Sequence, residues 1–320
     1  MRTIKEYSAI INEAIASRQY GEPASLYDPI RYTMEGQGKR LRPVLTLAAA
    51  EAMNVAAADA VLPALGVELY HNFTLLHDDI MDNSPTRRGR LAVWKKWDTA
   101  QAILSGDTML SEASGCIIDS PFGPSQRINM LRCFNETALI VDRGQQYDMD
   151  FERRSEVALD EYITMIEYKT GALLAGACMI GAMTGDASVD TVEAFRQYGL
   201  NLGIAFQIQD DILDVYGDEA TLGKPIGGDI VNDKHTWLLI SAMEKAPVAM
   251  ADIFARNLPA AEKIAAVREV YDSLGLRALA EQEVERYMSK AIDAIAAAGL
   301  SADAAAFFTD FANSLIGRKK

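Results

Sequence analysis

Cysteine is scarce in this chain. There are three among 320 residues, at 116, 133 and 178, with no CxxC pair. An odd, widely spaced set excludes a disulfide scaffold and suits reduced thiols in a cytosolic protein. Histidine is as rare, with three residues, so no imidazole cluster is available for a metal. Positive charge is also short: 31 Lys and Arg against 45 Asp and Glu give a formal net charge of −14. That argues against a general binder of nucleic acid or of anionic membranes. Any anionic partner must be met by local clusters of Lys and Arg. Long apolar runs are missing too. The most membrane-like stretch, TGALLAGACMIGAMTG, has 16 uncharged residues between Lys169 and Asp186, short of the roughly 20 that span a bilayer. It is rich in Gly and Ala and reads as a tightly packed interior helix. The start, MRTIKEYSAI, lacks the apolar core of a secretory signal.

What is present is helical almost throughout. Ala, Leu, Ile, Met, Glu and Gln dominate, and alternating strand-like runs are few. Turn signals fall at GEP (21–23), GQGKRLRP (36–43), NSP (83–85), SPFGPS (120–125), GD (185–186) and YGDEATLGKPIGGD (216–229). Helices of about 15–30 residues between such loops predict an all-α, multi-helix bundle. No linker or low-complexity segment divides it, so 1–320 reads as a single domain around a central cavity.

Two stretches share one acidic pattern. Residues 75–82 read LLHDDIMD and residues 207–214 read QIQDDILD, each a DDxxD on an apolar background. They are too far apart for a short repeat and read as two facing helices of one bundle. Residues i and i+4 share a helix face, so Asp78 projects with Asp82, and Asp210 with Asp214. His71 falls on nearly the stripe of Asp78, and Gln207 joins the face of Asp210. Paired carboxylates on apolar helices must repel or share cations. Hard oxygen donors favour Mg²⁺, which takes one or two carboxylates and completes its shell with phosphate oxygens and water.

Basic residues supply the complement. Arg87, Arg88 and Arg90 follow the first motif, Lys39, Arg40 and Arg42 occupy the early loop, and Lys224 and Lys234 follow the second motif. Guanidinium forks and ammonium groups both suit phosphate oxygens. A solvated acidic face would account for one DxxxD. Two DDxxD copies beside basic clusters in an acidic protein point instead to a diphosphate held between Mg²⁺ and cations.

These motifs carry a family resemblance. GQGKRLRP, HNFTLLHDDIMDNSPTRRGR, AILSGD, GQQYDMD, YKTGALL, FQIQDDILDVYGD and GKPIGGDIVNDKHTW occur in that order. The chain thereby resembles the all-trans prenyl diphosphate synthases of the farnesyl and geranylgeranyl type, from about residue 25 onward. The resemblance implies an isoprenoid synthase class I fold and the condensation of isopentenyl diphosphate with an allylic diphosphate. It implies Mg²⁺, three ions with substrate bound, for which Mn²⁺ can substitute. Asp78, Asp82 and Asp210 would be ligands, with Asp79, Asp148, Asp211, Asp214 and Asp229 in support. Arg87, Lys169, Lys224 and Lys234 match the allylic diphosphate site; Lys39, Arg42, His71 and Arg88 match the isopentenyl diphosphate site. Lys169, Thr170 and Gln207 match positions that steady the allylic cation. The tail Arg318-Lys319-Lys320 resembles basic tails that fold over the site. A cytoplasmic homodimer without nucleic acid or membrane insertion is the expected form.

Product length should depend on side chains below Asp78. Phe73 and Thr74 lie five and four residues before it, with Tyr70 about one turn further. In the family, aromatics at 73 and 74 go with C15 and small residues with long chains; one aromatic and one medium residue suggest C20 over C15. Three rivals compete with this reading. A class I terpene cyclase usually carries an Asn/Ser/Glu motif on the second helix, where this chain has DDILD. A di-iron bundle needs two ExxH motifs, and only Glu68-Leu69-Tyr70-His71 qualifies. A non-catalytic subunit of a heteromeric synthase typically loses aspartates, and none are lost here.

Overall fold

The structure is a computed structural model describing residues 1–217 and 226–316; Lys224 and the tail Arg318-Lys319-Lys320 lie outside the described residues. The protein is all-α, and the strands among the described residues form one two-stranded hairpin. The chain divides into two compact units, each assembled from separated segments. The first comprises Met1–Thr137, Leu173–Arg196 and Ala297–Phe307; the second comprises Ala138–Ala172, Gln197–Ala296 and Phe308–Lys320.

In the first unit, helices α1 (Ile4–Ser17), α2 (Ala24–Met34), α3 (Leu41–Ala52) and α4 (Val61–Met81) precede the hairpin β1 (Thr86–Arg87) and β2 (Arg90–Leu91). A short α5 (Val93–Lys96) and a long α6 (Thr99–Ile118) follow, and α7 (Pro124–Phe151) begins there. Side chains set these ends. Thr3 and Glu6 form a reciprocal capping box at α1. The Asp98 carboxylate accepts from the Gln101 N–H at 2.7 Å to start α6. Helix α4 is buried on every side from Pro63 to Tyr70, so it runs through the core and packs along α6 and against α3. Its other end emerges with the first DDxxD.

Helix α4 therefore ends in carboxylates. Asp78 and Asp79 fall in its last turn, Asp82 is its C-cap, and that turn carries no basic residue. The C-terminal end of a helix is its negative pole and favours cations. Helix α10 (Val189–Tyr216) repeats this, with Asp210, Asp211 and Asp214 in its last two turns and again no basic residue in the last.

In the second unit, α8 (Leu159–Ile166) leads into a π-helical turn, Glu167–Gly171. Helix α9 (Ala172–Met183), which from Leu173 onward belongs to the first unit, carries the Gly- and Ala-rich stretch, and its residues from Ala172 to Cys178 are buried. Together, Leu159–Met183 is long and apolar enough to cross a membrane by length and composition, yet 67% of its apolar window is buried inside the protein. Then come α11 (Gly228–Val231), α12 (Trp237–Lys245), α13 (Pro247–Ala255), α14 (Ala260–Ser273) and α15 (Leu276–Ala297). Thr236 caps α12 by accepting from the Leu239 N–H at 3.2 Å. All three cysteines are free and buried, as small apolar side chains would be.

Candidate active site

In the first unit, the hairpin was not legible as a strand signal. Its turn residues Arg88 and Gly89 both have positive φ, 53° and 74°, as a two-residue type I′ turn requires. For Arg88 this conformation costs about 1–2 kcal/mol, so a strained residue presents the guanidinium. Arg88 lies against the early loop because Gly38 has no side chain: a Cβ there would be 2.9 Å from Arg88 Nη1.

Arg42 Nη1 lies 3.3 Å from His71 Nε2. A guanidinium only donates, so Nε2 accepts and the ring proton belongs on Nδ1. Burial, and then Arg42, Arg88, Arg87 and Arg40, hold the His71 pKa well below its ordinary value, so this imidazole is neutral near pH 7. Burial also pushes Arg42 down to about 10, with Glu68 opposing and Arg88 adding to the shift. Three of the four residues matched to the isopentenyl diphosphate site are thus gathered, and exposed Lys39 adjoins Gly38 in the same loop.

Arg40 has a different fate from its basic neighbours. It is buried and its backbone is left-handed, φ 49°. Its guanidinium donates to Glu68 Oε1 at 2.7 Å, to the carbonyls of Met34 and Gly36 at 2.6 and 2.8 Å, and to Asn12 Oδ1 at 3.2 Å. The ExxH of α4 therefore spends its glutamate on an arginine, which removes the di-iron reading on structural grounds too.

The three aspartates of the first motif differ. Asp79 is buried and its Oδ1 accepts from Arg87 Nε and Nη2 at 2.8 and 2.5 Å. Burial raises its pKa, and Arg87 opposes the rise. Asp78 is half-buried and Asp82 exposed. Behind Asp79, Ser84 donates its N–H to the Asp79 carbonyl at 2.9 Å, and the Trp94 indole N–H donates to the Ser84 carbonyl at 2.8 Å. A cavity of about 40 Å³ is lined by Asn72, Asp79, Arg87 and Arg88 among others.

Below the motif the aromatics form a chain. Phe73 meets His77 edge-on at 4.8 Å and lies tilted against Tyr70 at 5.5 Å, and Tyr70 meets Phe134 of α7 edge-on at 5.4 Å. Tyr70 is buried, while Phe73 and Thr74 are half-buried. Phe134 was not among the sequence candidates, because no spacing rule connects α4 to α7.

In the second unit, the π-turn holds Lys169 and Thr170. Such turns insert an extra residue and recur at functional sites. Two glycines let it pack closely. A Cβ on Gly144 of α7 would lie 2.3 Å from the Lys169 backbone N, and one on Gly203 of α10 would lie 2.3 Å from Gly171 Cα. Lys169 Nζ donates to Asp148 Oδ2 at 2.5 Å, and Thr170 Oγ1 donates to Gln207 Oε1 at 3.2 Å. Burial raises the Asp148 pKa, but Lys234 and Lys169 outweigh it and hold the group below the ordinary carboxylate range.

The second motif repeats the division of the first. Asp211 is buried, and its Oδ2 accepts from the Tyr162 hydroxyl at 2.5 Å and the Trp237 N–H at 3.0 Å. Burial pushes its pKa up to about 7; the Tyr162 bond opposes this and Asp229 adds to it. Asp214 is buried and its Oδ2 accepts from the Asp229 N–H at 3.0 Å, while Asp210 is half-buried. Tyr162 and Trp237 were missed from sequence, since neither belongs to a charged motif.

Among the described residues, no group of three or more His, Cys, Asp and Glu side chains forms a metal cage by itself. Mg²⁺ does not require one, since it is commonly held by one or two carboxylates together with substrate phosphates. Carboxylates at the negative ends of two helices, with oxygen donors only, fit that cation.

The sequence pattern of the family described as Polyprenyl synthetase matches residues 23–274. A geranylgeranyl diphosphate synthase of Methanosarcina mazei is 42% identical over 247 residues, covering 77% of this chain and 76% of that one. A (2E,6E)-farnesyl diphosphate synthase of Mycobacterium bovis is 36% identical over 291 residues, covering 88% and 80%. A crystal structure of a geranylgeranyl pyrophosphate synthase superposes with a TM-score of 0.95 at 39% identity over the whole of both chains. The chain belongs to the polyprenyl synthetase family. It is a prenyltransferase, an all-trans prenyl diphosphate synthase.

Proposed function

We propose that this synthase condenses isopentenyl diphosphate with an allylic diphosphate and stops at geranylgeranyl diphosphate, C20. The observation that carries the reading is the pair of helices, α4 and α10, that both end in aspartates at their negative poles. The residues assigned to the two diphosphates accompany them: Arg42, His71, Arg87 and Arg88 in one unit, and Lys169 and Lys234 in the other. Asp78, Asp82 and Asp210 would ligate Mg²⁺, three ions with substrate or Mn²⁺ in their place. Asp79, Asp148, Asp211, Asp214 and Asp229 would support them. Bound Mg²⁺ supplies Lewis-acid stabilisation to the negative charge on the departing diphosphate.

The chain's own groups do the rest. Arg87, Lys169, Lys224 and Lys234 grip the allylic diphosphate, and their positive charge stabilises its departure. Lys39, Arg42, His71 and Arg88 hold isopentenyl diphosphate so that its double bond meets the allylic cation. Thr170 and Gln207, with the Lys169 carbonyl, steady that cation. The proton lost after carbon–carbon bond formation passes to the diphosphate. Water must be kept out, because it would quench the cation. Phe73, Thr74 and Tyr70 set the product length, and one aromatic at 73 with a medium residue at 74 favours C20. We also propose that 1–320 acts as a single catalytic domain and that the enzyme is a cytoplasmic homodimer.

Purified protein with Mg²⁺, isopentenyl diphosphate and C5, C10 or C15 allylic diphosphates tests the reading, with products sized by mass spectrometry. A C20 end point supports it, a C15 end point overturns the length, and no condensation with any primer overturns the function.

A further inference from the structure

We propose that Glu68 and Arg40 are positioning residues for the isopentenyl diphosphate subsite: their buried pair locks the 36–40 loop to helix α4 and so fixes Arg42, His71 and Arg88 together. The inference rests on the reading of that subsite given above. It adds two residues that touch no substrate in that reading.

Three observations support it. Arg40 and Glu68 are both buried, with 6% and 2% exposure, and pair at 2.7 Å. The Arg40 guanidinium simultaneously ties down the carbonyls of Met34 and Gly36, which are the last residue of α2 and the first turn of the loop. Glu68 Oε1 in turn accepts from Asn72 Nδ2 at 3.0 Å, one helical turn further along the same helix as His71. The network thus joins the segment that bears Lys39 and Arg42 to the segment that bears His71.

The second observation is electrostatic. Arg40, Arg42, Arg87 and Arg88 all act on His71, and a Cβ on Gly38 would lie near both Arg88 and Arg40, 2.9 and 3.5 Å from their Nη1 atoms. Guanidinium groups gathered this closely repel one another. Glu68 is the carboxylate that acts on both Arg42 and Arg88 while it pairs with Arg40. It offsets that repulsion from within the core, on the side away from solvent.

The third is a buried polar atom. Among the described residues the Asn72 Oδ1 has no hydrogen-bond partner, while Asn72 lines the cavity shared with Arg87 and Arg88. The amide orientation is set by Nδ2, which donates to the Glu68 carbonyl and carboxylate at 2.8 and 3.0 Å. The network therefore continues to the wall of the cavity.

The charge of Glu68 makes the idea separable from a bulk field effect. If only net charge mattered, Glu68→Gln would make the subsite more positive and tighten the binding of an anionic diphosphate. A positioning role predicts the opposite sign. Steady-state kinetics of Glu68→Gln, Glu68→Asp and Arg40→Lys should show KM for isopentenyl diphosphate raised about tenfold or more, with KM for the allylic diphosphate within about twofold of wild type. Glu68→Asp keeps the charge and shortens the arm, so it isolates geometry and guards against a Gln variant that fails to fold. The Arg40→Lys/Glu68→Gln double variant should lose no more than the worse single variant, because the two act as one unit. An unchanged or lowered KM for isopentenyl diphosphate in all three single variants overturns the positioning role. So does an equal rise in both KM values, which would mark a general loss of structure. Wild-type protein in the same assay separates the premise: without condensation there, the synthase reading falls and takes this inference with it.

Discussion

Replacing Gly144 with Ala should cripple turnover while lowering stability by no more than about 2 kcal/mol. The added Cβ would sit 2.3 Å from the Lys169 backbone N and 2.7 Å from Lys169 Cα and the Tyr168 carbonyl carbon. Ordinary contact begins near 3.4 Å, so the π-turn must retreat by roughly 1 Å, because the obstructing atoms are backbone and cannot rotate aside. That retreat is enough to break the 3.2 Å bond between Thr170 and Gln207 and to displace Lys169 from Asp148. A displacement of about 1 Å at a catalytic group can cost about 100-fold in rate. The stability balance is smaller. Overpacking costs about 1–3 kcal/mol, and Gly to Ala inside helix α7 returns about 1 kcal/mol. The assay is kcat at saturating substrates beside thermal unfolding of the same sample. A kcat within about threefold of wild type, with an unchanged or raised Tm, would refute the claim that the π-turn's close approach sets the positions of Lys169 and Thr170.

Phe73→Ala should lengthen the product beyond the wild-type end point, read by mass spectrometry; an unchanged product moves the pocket floor elsewhere along the aromatic chain from Tyr70 to Phe134. Tyr162→Phe removes the hydroxyl that holds Asp211 and should raise the Mg²⁺ concentration for half-maximal activity about tenfold, measured by metal titration; an unshifted titration would deny Tyr162 any part in the metal site. His71 is held neutral in the fold while an unfolded imidazole takes its proton below the ordinary value of 6.5. The unfolded chain then binds more protons, so this residue contributes a loss of stability as pH falls below that value, with a slope of at most about 1.4 kcal/mol per pH unit. His71→Gln should remove that component between pH 6.5 and 5 in denaturant titrations, and an identical slope in the two proteins would contradict the neutral assignment.

The fold class was legible because helix formers, caps and turn signals agree along most of the chain. The hairpin escaped because TRRGRL has neither length nor alternation; its signal was Arg-Gly in a two-residue turn. Charged motifs such as DDxxD declare themselves by spacing on one helix, whereas Arg40 has the sequence context of one more phosphate grip and only its burial against Glu68 sets it apart. Sequence cannot tell a basic residue that faces a ligand from one that faces the core when they are two positions apart. Phe134, Tyr162 and Gly144 were silent for another reason. Each acts on a residue of a different helix, and only packing brings the partners together.

The tryptophans offer something different. There are three in the chain: Trp94 bonds to Ser84 directly behind Asp79, Trp97 meets Tyr32 edge-on in the same unit, and Trp237 donates its backbone N–H to Asp211. Indole emission shifts with nearby charge, so the two acidic motifs carry their own optical labels. A variant lacking Trp94 and Trp97 would glow from the second motif alone, and one lacking Trp237 from the first. The order in which the two motifs respond to metal and to each diphosphate could then be timed in a stopped-flow instrument without attaching a dye.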